Sequence, residues 1–282
     1  MKIAVVGIGL IGGSMALVLK AQGFASVVLG VDSNESHAAK ALAGNLVDAV
    51  TDLAGAVANS DVVILSAPVN VCTDLLPRVL DLVDRQVVLD TGSTKMSLLD
   101  AVKGHAKRGR YVATHPMWGT EFSGPEAATL QAFKGRANVI CNAEESDEDA
   151  LALVKELYGT LGMYPVYMDG YNHDVHVAYI SHISHITSFA LANTVLEKEK
   201  EEDAIFELAS AGFESTVRLA KSSPAMWMPI FRQNKENILD VLNEHISQLR
   251  KFKSCIEKEN WTYLTELMEH ANKIRQVLDR KS

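Results

Sequence analysis

A few short segments hold the residues that could move a proton or bind an anion. His115 lies between Thr114 and Pro116, directly after a short β-branched run. An imidazole at a strand end can accept a proton or a hydrogen bond from a bound ligand. Ser93 could orient the same ligand, or it could serve only as a helix cap. Arg218 is flanked by apolar residues, and its guanidinium could bind a carboxylate, although arginines more often lie free on a surface.

Four histidines lie close together further along the chain, and their spacing raises the question of a metal. They are His173, His176, His182 and His185. The pattern HxxH occurs twice, but zinc sites usually add cysteines or carboxylates, and no HExxH is present, so we predict no metal. His182 and His185 lie on one face of a predicted buried helix, which favours a polar substrate pocket between two domains.

A glycine-rich loop near the amino terminus predicts a dinucleotide site. The sequence Gly7-Ile8-Gly9-Leu10-Ile11-Gly12 follows the predicted strand Ile3–Val6 and precedes a predicted helix. In that context the glycines allow a tight turn, a close approach to a pyrophosphate and close packing of helix on strand. The pyrophosphate is expected at the helix N-terminus, which includes Leu10 and Ile11. A glycine-rich turn without a ligand is the alternative.

An acidic residue indicates which dinucleotide binds. Asp32 stands at the end of the second predicted strand, where a carboxylate can accept hydrogen bonds from both ribose hydroxyls. It would repel a 2'-phosphate, and no arginine follows between residues 32 and 39, so we predict NAD over NADP. The segment Ser66-Ala67-Pro68 lies at another strand end and is expected to line the same site.

Secondary-structure patterns predict an α/β chain in two parts. Short apolar strands alternate with helices at Ile3–Val6, Val27–Val31, Val62–Ser66, Val87–Asp90, Tyr111–Thr114, Ala137–Cys141 and Met163–Tyr167. This alternation is typical of a Rossmann-type doubly wound, mainly parallel sheet. From Tyr171 onward the pattern is helical, with helices predicted over 173–196, 204–221, 226–257 and 261–280. We therefore predict a nucleotide-binding domain at 1–168 and an all-helical domain at 169–282.

Composition excludes several functional classes. The 282 residues carry a net charge of −8 and no basic stripe, which argues against nucleic acid as a partner. Three widely separated cysteines without a CxxC fit free thiols in a reducing cytoplasm. The uncharged run from Ile3 to Leu19 contains the glycine loop, so we expect neither a targeting segment nor a membrane anchor.

Five motifs in this order give the chain a resemblance to a known family. Besides the glycine loop, they are DTGSTK at 90–95, HPMWGTEFSG at 115–124, HDVHVAYISHISH at 173–185 and RLAKSSPAMWMPIF at 218–231. Together they resemble the prephenate dehydrogenase family, which also includes arogenate dehydrogenases. The resemblance covers essentially the whole chain. It leaves no residues for a regulatory domain or a fused chorismate mutase, and it implies a homodimer formed through the helical domain.

The resemblance implies NAD-dependent oxidative decarboxylation of prephenate to 4-hydroxyphenylpyruvate, CO2 and NADH in tyrosine biosynthesis. In that reaction His115 would accept the hydrogen bond or proton of the substrate's C4 hydroxyl, and Ser93 would orient this hydroxyl. The residues implied for substrate binding are Arg218, His185, Trp227, Thr120, Glu121 and His182, with Ser181 as a supporting residue. The alternatives are an arogenate dehydrogenase that forms tyrosine directly, another two-domain hydroxyacid-type dehydrogenase, and a non-catalytic dinucleotide sensor.

One position departs from the family pattern. Relatives carry an aspartate three residues before the arginine, where it forms an ionic cluster with that arginine and a histidine, whereas this chain has Ser215. Glu214 is expected to point elsewhere on the helix. The carboxylate-binding role implied for Arg218 does not depend on this cluster.

Overall fold

The computed structural model describes residues 1–200 and 205–279, and these contain one eight-stranded sheet. The strands are β1 Lys2–Val6, β2 Val27–Val31, β3 Ala49–Val50, β4 Val62–Leu65, β5 Val87–Asp90, β6 Tyr111–Pro116, β7 Ala137–Cys141 and β8 Tyr164–Met168. Their order is β3-β2-β1-β4-β5-β6-β7-β8, and all neighbours are parallel except β6 and β7. The predicted α/β fold class is confirmed, and the two-residue strand β3 is an element that the sequence patterns did not indicate.

Thirteen α-helices connect the strands and form most of the described chain after β8. They are α1 Leu10–Ala21, α2 Glu35–Ala43, α3 Leu53–Ala58, α4 Val69–Leu82, α5 Met96–Ala101, α6 Glu148–Thr160, α7 Gly170–Val177, α8 Ile183–Glu199, α9 Ala211–Val217, α10 Pro224–Gln233, α11 Lys235–Glu257, α12 Trp261–Asn272 and α13 Arg275–Leu278. No helix of the described residues is long and apolar enough to cross a membrane.

The sheet separates two apolar cores. On β1, Ile3 and Val5 belong to one core, and Ala4 and Val6 belong to the other. A strand that is apolar on both faces is typical of a parallel sheet covered by helices on both sides. The central strands are therefore buried on both faces, and the loops that follow them start from this core.

Two compact units make up the described chain, one spanning Met1–Lys235 and one from Glu236 onward. The first unit contains every residue that we predicted for a site. It extends beyond the sheet because α7 to α10 pack within it. The predicted domain boundary between residues 168 and 169 stays a prediction.

All four predicted helices are interrupted in the structure, and the one predicted over 261–280 divides into α12 and α13. The predicted helix over 173–196 consists of α7, a π-helical turn at Ala178–His182, and α8. The one predicted over 226–257 divides at Asn234 into α10 and α11, and α10 begins at Pro224, a position that proline favours. Over 204–221 the structure has α9 flanked by 3-10 turns. Residues 201–204 and 280–282 of these predictions lie outside the described residues.

The expectation that the apolar helix is buried on several sides is wrong for the single chain. Within α8 only Ile183 and Ser188 are buried, and Leu196 is half-exposed. The apolar composition of this helix is therefore not explained by contacts within one chain.

A buried ion pair joins the ends of β5 and β6. The Lys95 ammonium donates to the Asp90 carboxylate and, at 2.7 Å, to the Thr114 carbonyl. The same carboxylate accepts from the Tyr111 hydroxyl at 2.7 Å and from the Thr114 N–H at 3.0 Å. Both charged side chains have no exposed area. Because Asp90 ends β5 and Thr114 directly precedes His115 near the carboxyl end of β6, this network fixes the loops that start there.

Removing the lysine from this pair is expected to destabilise the fold strongly. Lys95→Met leaves the Asp90 charge buried without its cation, which costs about 3–5 kcal/mol of unfolding free energy. The control is Lys40→Met, which breaks the exposed 2.5 Å pair with Glu126 and is expected to change the stability far less, because solvent screens this pair. Urea unfolding of both variants measures the difference, and losses of equal size would contradict the expectation.

Candidate functional site

The glycine loop lies directly against the loop after β4. Gly7 has φ +92°, and a Cβ added there would lie 2.6 Å from the Ala67 backbone nitrogen. A Cβ added at Gly12 would lie 2.3 Å from the Gly7 carbonyl oxygen and 3.1 Å from Ser66 Cβ. These two glycines are required by close packing, and the packing brings Ser66 and Ala67 beside the N-terminus of α1.

The space over Gly9 is open, unlike that over the other two glycines. Gly9 is the N-cap of α1, and a Cβ added there would meet nothing within 4 Å. Leu10 and Ile11 form the first turn of the helix, whose free N–H groups favour a negative charge. An open concavity at a helix N-terminus fits the pyrophosphate of a dinucleotide.

Asp32 is fixed just after β2. Its carboxylate accepts from the Ile8 N–H and the Asn34 N–H, both at 2.9 Å. The contact with Ile8 joins this carboxylate to the glycine loop itself. The predicted ribose-binding group and the predicted pyrophosphate-binding loop therefore form one continuous surface that fits NAD.

The loop containing Ser93 is linked to this surface. Thr91, which follows β5, donates from its hydroxyl to the Ser66 hydroxyl at 3.0 Å. Ser93 itself is half-buried two residues further on. Pro68 is the N-cap of α4, so the segment 66–68 lies between the glycine loop and the Ser93 loop. The contacts join the predicted cofactor residues to one of the two predicted catalytic residues.

His115 lies at the carboxyl end of β6, next to β5, and is joined to two further residues. Its Nδ1 lies 2.9 Å from Nε2 of His173, whose Nδ1 in turn lies 2.8 Å from the Asp174 carboxylate. The two imidazole rings meet edge to face, with centroids 5.1 Å apart. This connected series joins the sheet to α7.

Burial keeps the imidazole of His115 neutral. Removal from water lowers the pKa of His115 well below its ordinary value, and repulsion by His173, Lys95 and His182 lowers it further. Burial also lowers the pKa of His173, although the hydrogen bond with Asp174 opposes that shift. A neutral His115 can accept a proton at neutral pH.

Two other predicted histidines lie around Trp227. The ring of His185 stacks on the indole with centroids 3.6 Å apart, and the ring of His182 meets it edge-on at 5.8 Å. His185 Nδ1 donates to the Ser181 carbonyl at 3.0 Å, which leaves its Nε2 as an acceptor. Burial lowers the pKa of His182 to about 4 and also lowers the pKa of His185. Trp227 Nε1 is buried and has no hydrogen-bond partner among the described residues, so it can donate to a ligand.

Arg218 makes its ionic contact with the loop that follows His115. Its guanidinium donates to the Glu121 carboxylate at 2.8 Å, and hydrogen bonds to Glu121, including this one, lower the pKa of that carboxyl. Thr120 is exposed and accepts from the Phe122 N–H at 3.3 Å. Ser215 donates to the Gly212 carbonyl at 2.9 Å, and Glu214 lies 3.6 Å from Lys221, as expected for a residue that points elsewhere.

Sequence reasoning missed three polar residues that connect these groups. They are Asp174, Gln233 and Asn234. Asp174 accepts from the Lys95 and Met96 N–H groups at 2.7 and 3.0 Å, so it caps α5. Gln233 accepts from the Thr94 hydroxyl at 2.6 Å and donates to the Thr73 hydroxyl at 3.1 Å. Asn234 donates to the Asp174 carbonyl at 2.7 Å and lies 3.1 Å from His182.

From the sequence, His173 is only a candidate metal ligand, because its position relative to His182 depends on an interruption of the predicted helix. Residues nine apart, such as His173 and His182, lie on nearly opposite faces of an uninterrupted α-helix. The π turn between them changes that phase, and π turns are frequent at functional sites. His176, by contrast, is exposed. The available signal was the His173-Asp174 dipeptide, which pairs an imidazole with a carboxylate.

Family models match both halves of the chain. Residues 15–165 match the model described as prephenate dehydrogenase, nucleotide-binding domain, and residues 169–270 match the model described as prephenate dehydrogenase, dimerization domain. The chain belongs to the prephenate dehydrogenase family. It is therefore an oxidoreductase, and the predicted resemblance is confirmed.

Individual relatives agree with this assignment. The chain is 30% identical to a cyclohexadienyl dehydrogenase of Zymomonas mobilis over 98% of its length and 95% of the relative. It is 29% identical to the crystallised prephenate dehydrogenase of A. aeolicus in complex with hydroxyphenyl propionate and NAD+, with a TM-score of 0.88 and coverage of 99% and 98%. It is 26% identical to the arogenate dehydrogenase of Synechocystis, with a TM-score of 0.75 and coverage of 99% and 100%.

A methyl group on Gly9 is expected to block the nucleotide site without disturbing the fold. Gly9→Ala places a Cβ in the open space at the N-terminus of α1, so the affinity for NAD should fall at least about tenfold, or about 1.4 kcal/mol. The matched control is Gly159→Ala in α6, where a Cβ also meets open space but lies outside the predicted site. Titration of intrinsic fluorescence with NAD and thermal unfolding measure both effects. Unchanged affinity in Gly9→Ala would contradict this assignment of the loop.

Proposed function

We propose that the protein catalyses NAD-dependent oxidative decarboxylation of prephenate to 4-hydroxyphenylpyruvate, CO2 and NADH, in tyrosine biosynthesis. The substrate is a cyclohexadiene with a ring carboxylate, a pyruvyl carboxylate and a hydroxyl at C4. Loss of hydride from C4 and of the hydroxyl proton makes a carbonyl, and loss of CO2 from the ring leaves the aromatic phenol. The observation that carries the proposal is the neutral His115 imidazole beside the Ser93 loop, at adjoining strand ends next to a dinucleotide-binding surface.

His115 is the group that would receive the C4 hydroxyl proton. Its Nδ1 is engaged by His173, so Nε2 is the nitrogen available to a substrate. The imidazole returns the proton to the phenolate oxygen once CO2 has left, so the reaction consumes no net proton at this group. Ser93, from the neighbouring strand end, would hold the same hydroxyl in line.

The cofactor in this proposal is NAD, which supplies the hydride acceptor when bound. Gly7, Gly9 and Gly12 with the first turn of α1 would hold its pyrophosphate, and Asp32 would accept hydrogen bonds from its adenosine ribose. The carboxylate of Asp32 would repel a 2'-phosphate. Ser66, Ala67 and Pro68 would line the path toward the reacting carbon.

The carboxylates of the substrate need cationic or donor groups, and the helical part of the site supplies them. Arg218 presents the guanidinium fork, and Trp227 Nε1 is a buried donor without a described partner. His182 and His185 are neutral and pack around the indole. Thr120 and Glu121 contribute from the loop after His115, so substrate-binding groups come from both sides of the site.

Arogenate is the second candidate substrate. It differs from prephenate in carrying an amino acid side chain in place of the keto acid, and the Synechocystis relative is named for it. The carboxylate of Glu121, 2.8 Å from Arg218, would also suit an ammonium group. Measurement of kcat/KM for both substrates decides between them.

We further propose a cytoplasmic homodimer that forms through the helical part. The matched dimerization model covers residues 169–270, and α8 leaves much of its apolar surface uncovered in the single chain. The helices from Glu236 onward also expose Leu249, Ile256, Trp261 and Met268. The three cysteines are free and buried, which fits a reducing compartment.

Replacing His115 should stop turnover while leaving the cofactor site intact. His115→Asn removes the proton acceptor, so kcat with prephenate or arogenate is expected to fall at least about 100-fold while the affinity for NAD is retained. His176→Asn, an exposed histidine of the same histidine-rich segment, is the control and should stay near wild type. NADH absorbance follows the reaction. If the wild-type protein turns over neither prephenate nor arogenate, the proposed function is wrong and a dinucleotide sensor is favoured.

Arg218→Ala should separate substrate binding from cofactor binding. Loss of the guanidinium is expected to raise KM for prephenate about tenfold or more and to leave the affinity for NAD nearly unchanged. Lys221→Ala removes an exposed cation three residues away that pairs with Glu214, and its KM should change little. Steady-state kinetics with NAD titration measure both constants. Equal damage to both constants in Arg218→Ala would mean that Arg218 is structural.

A further inference from the structure

The carboxylate of Asp174 is hydrogen-bonded to His173, and His173 is hydrogen-bonded to His115, so the three side chains form a continuous series that ends at the proposed reacting position. Asp174 and His173 are almost completely buried, with 2% and 1% of their surface exposed. The three side chains are held by 2.8 and 2.9 Å contacts, and they come from α7 and from the end of β6. Since neither Asp174 nor His173 reaches solvent, their function must be exerted on neighbours inside the protein.

The chemistry of the three groups fixes where the protons lie. An ionised carboxylate only accepts hydrogen bonds, so Nδ1 of His173 must be the donor to Asp174. A neutral His173 then has a lone pair on Nε2 and accepts from Nδ1–H of His115. Neutral His115 with its proton on Nδ1 has a lone pair on Nε2. The series therefore selects the tautomer in which the nitrogen facing a substrate is an acceptor.

We propose that His173 and Asp174 are positioning residues that hold His115 in the tautomer with a free Nε2 acceptor. This inference rests on the proposed function in one respect: the proposed function supplies the substrate hydroxyl from which Nε2 of His115 would accept. When His115 accepts the proton, its Nδ1–H remains bonded to His173, and the Asp174 charge stabilises the resulting imidazolium through the intervening ring. In hydrolase triads a buried carboxylate likewise fixes the tautomer and orientation of a histidine base, although there the two groups are in direct contact.

The surrounding charges support this reading. Lys95 and His182 act electrostatically on His115, and Lys95 and Asp90 act on His173. Lys95 and Asp90 form an ion pair with each other, and His182, with its pKa near 4, is neutral at working pH. Asp174 is therefore the anion that the His115–His173 pair meets through a direct hydrogen bond.

Asp174 also accepts two backbone N–H groups of α5, so its replacement could act through the fold, and the test must separate the two effects. Asp174→Asn keeps one oxygen, which can still accept from one of those N–H groups, but it loses the charge and the second acceptor oxygen. His173→Gln keeps an acceptor for His115 Nδ1–H, whereas His173→Leu removes it. The matched controls are Asp81→Asn and His105→Asn, which disrupt a His–Asp pair of 3.2 Å outside the site.

The kinetic readout is a change in kcat with KM preserved. Asp174→Asn and His173→Leu are expected to lower kcat about 100-fold or more with KM changed less than about threefold, and His173→Gln should retain more activity than His173→Leu. In Asp174→Asn the acid limb of kcat/KM should move to lower pH by about half a unit or more, because the anion that stabilises protonated His115 is gone. Unchanged kcat and pH profile in Asp174→Asn and His173→Leu, or equal activity of the two His173 variants, would overturn the proposal.

A spectroscopic measurement decides the proposal independently of substrate. Nitrogen-15 NMR of histidine-labelled, NAD-bound protein reports which ring nitrogen of His115 carries the proton, with His115→Asn providing the assignment. We expect an unprotonated Nε2 in the wild type and a shift of the proton toward Nε2 in Asp174→Asn and His173→Leu, with no change in the two controls. A protonated Nε2 in the wild type overturns the proposal. Lack of wild-type turnover with both substrates overturns the proposed function alone, since the tautomer is still measured.

Discussion

The buried ion pair between Asp90 and Lys95 is the constraint on which the site depends. A charge without solvent must have all its hydrogen bonds satisfied by protein groups. Asp90, the last residue of β5, obtains them from Tyr111 and Thr114 of β6, from the Lys95 ammonium and from the Gly92 N–H at 2.8 Å. The positions of Ser93 and His115 follow, since Ser93 lies between Gly92 and Lys95, and His115 comes directly after Thr114. The buried charges of Asp90 and Lys95 need protein partners, and this need places the two predicted catalytic residues, although Asp90 and Lys95 themselves take no part in the proposed chemistry.

Asp174 extends the same constraint to the helices. Its carboxylate accepts the backbone N–H of Lys95, whose side chain pairs with Asp90, so one residue connects two buried carboxylates. Asn234 holds the Asp174 carbonyl, and Gln233 ties the Ser93 loop to α4. The region from α7 to α10 is therefore fastened to the sheet by directional polar contacts as well as by apolar packing. Directional contacts of this kind specify one arrangement where apolar contacts alone tolerate several.

The parts of the site that could be predicted from the sequence are those with a local cause. The glycine loop, Asp32 and His115 each occupy a strand end whose position depends on neighbouring residues, and alternation of strands and helices determines the fold class. The contact between Glu121 and Arg218 spans 97 positions and no local pattern encodes it. The relative orientation of His173 and His182 depends on the π turn at Ala178–His182, which the helix predicted over 173–196 does not include. The helix boundary at Asn234 was also missed, because the residue that ends α10 donates to the Asp174 carbonyl 60 positions away, and no local pattern encodes this contact.

Charge is distributed unevenly across the site, and this division follows from the cost of burial. Four imidazoles, those of His115, His173, His182 and His185, have lowered pKa values and stay neutral, so none of them adds an unpaired cation to the interior. Arg218 is about half-exposed and keeps its charge near solvent. A dianionic substrate would then meet the positively charged group, Arg218, near solvent and the uncharged hydrogen-bond acceptor, His115, in the interior. Chemistry at a hydroxyl needs a neutral base, and binding of a carboxylate needs a cation, so separating the two by depth lets one small site provide both.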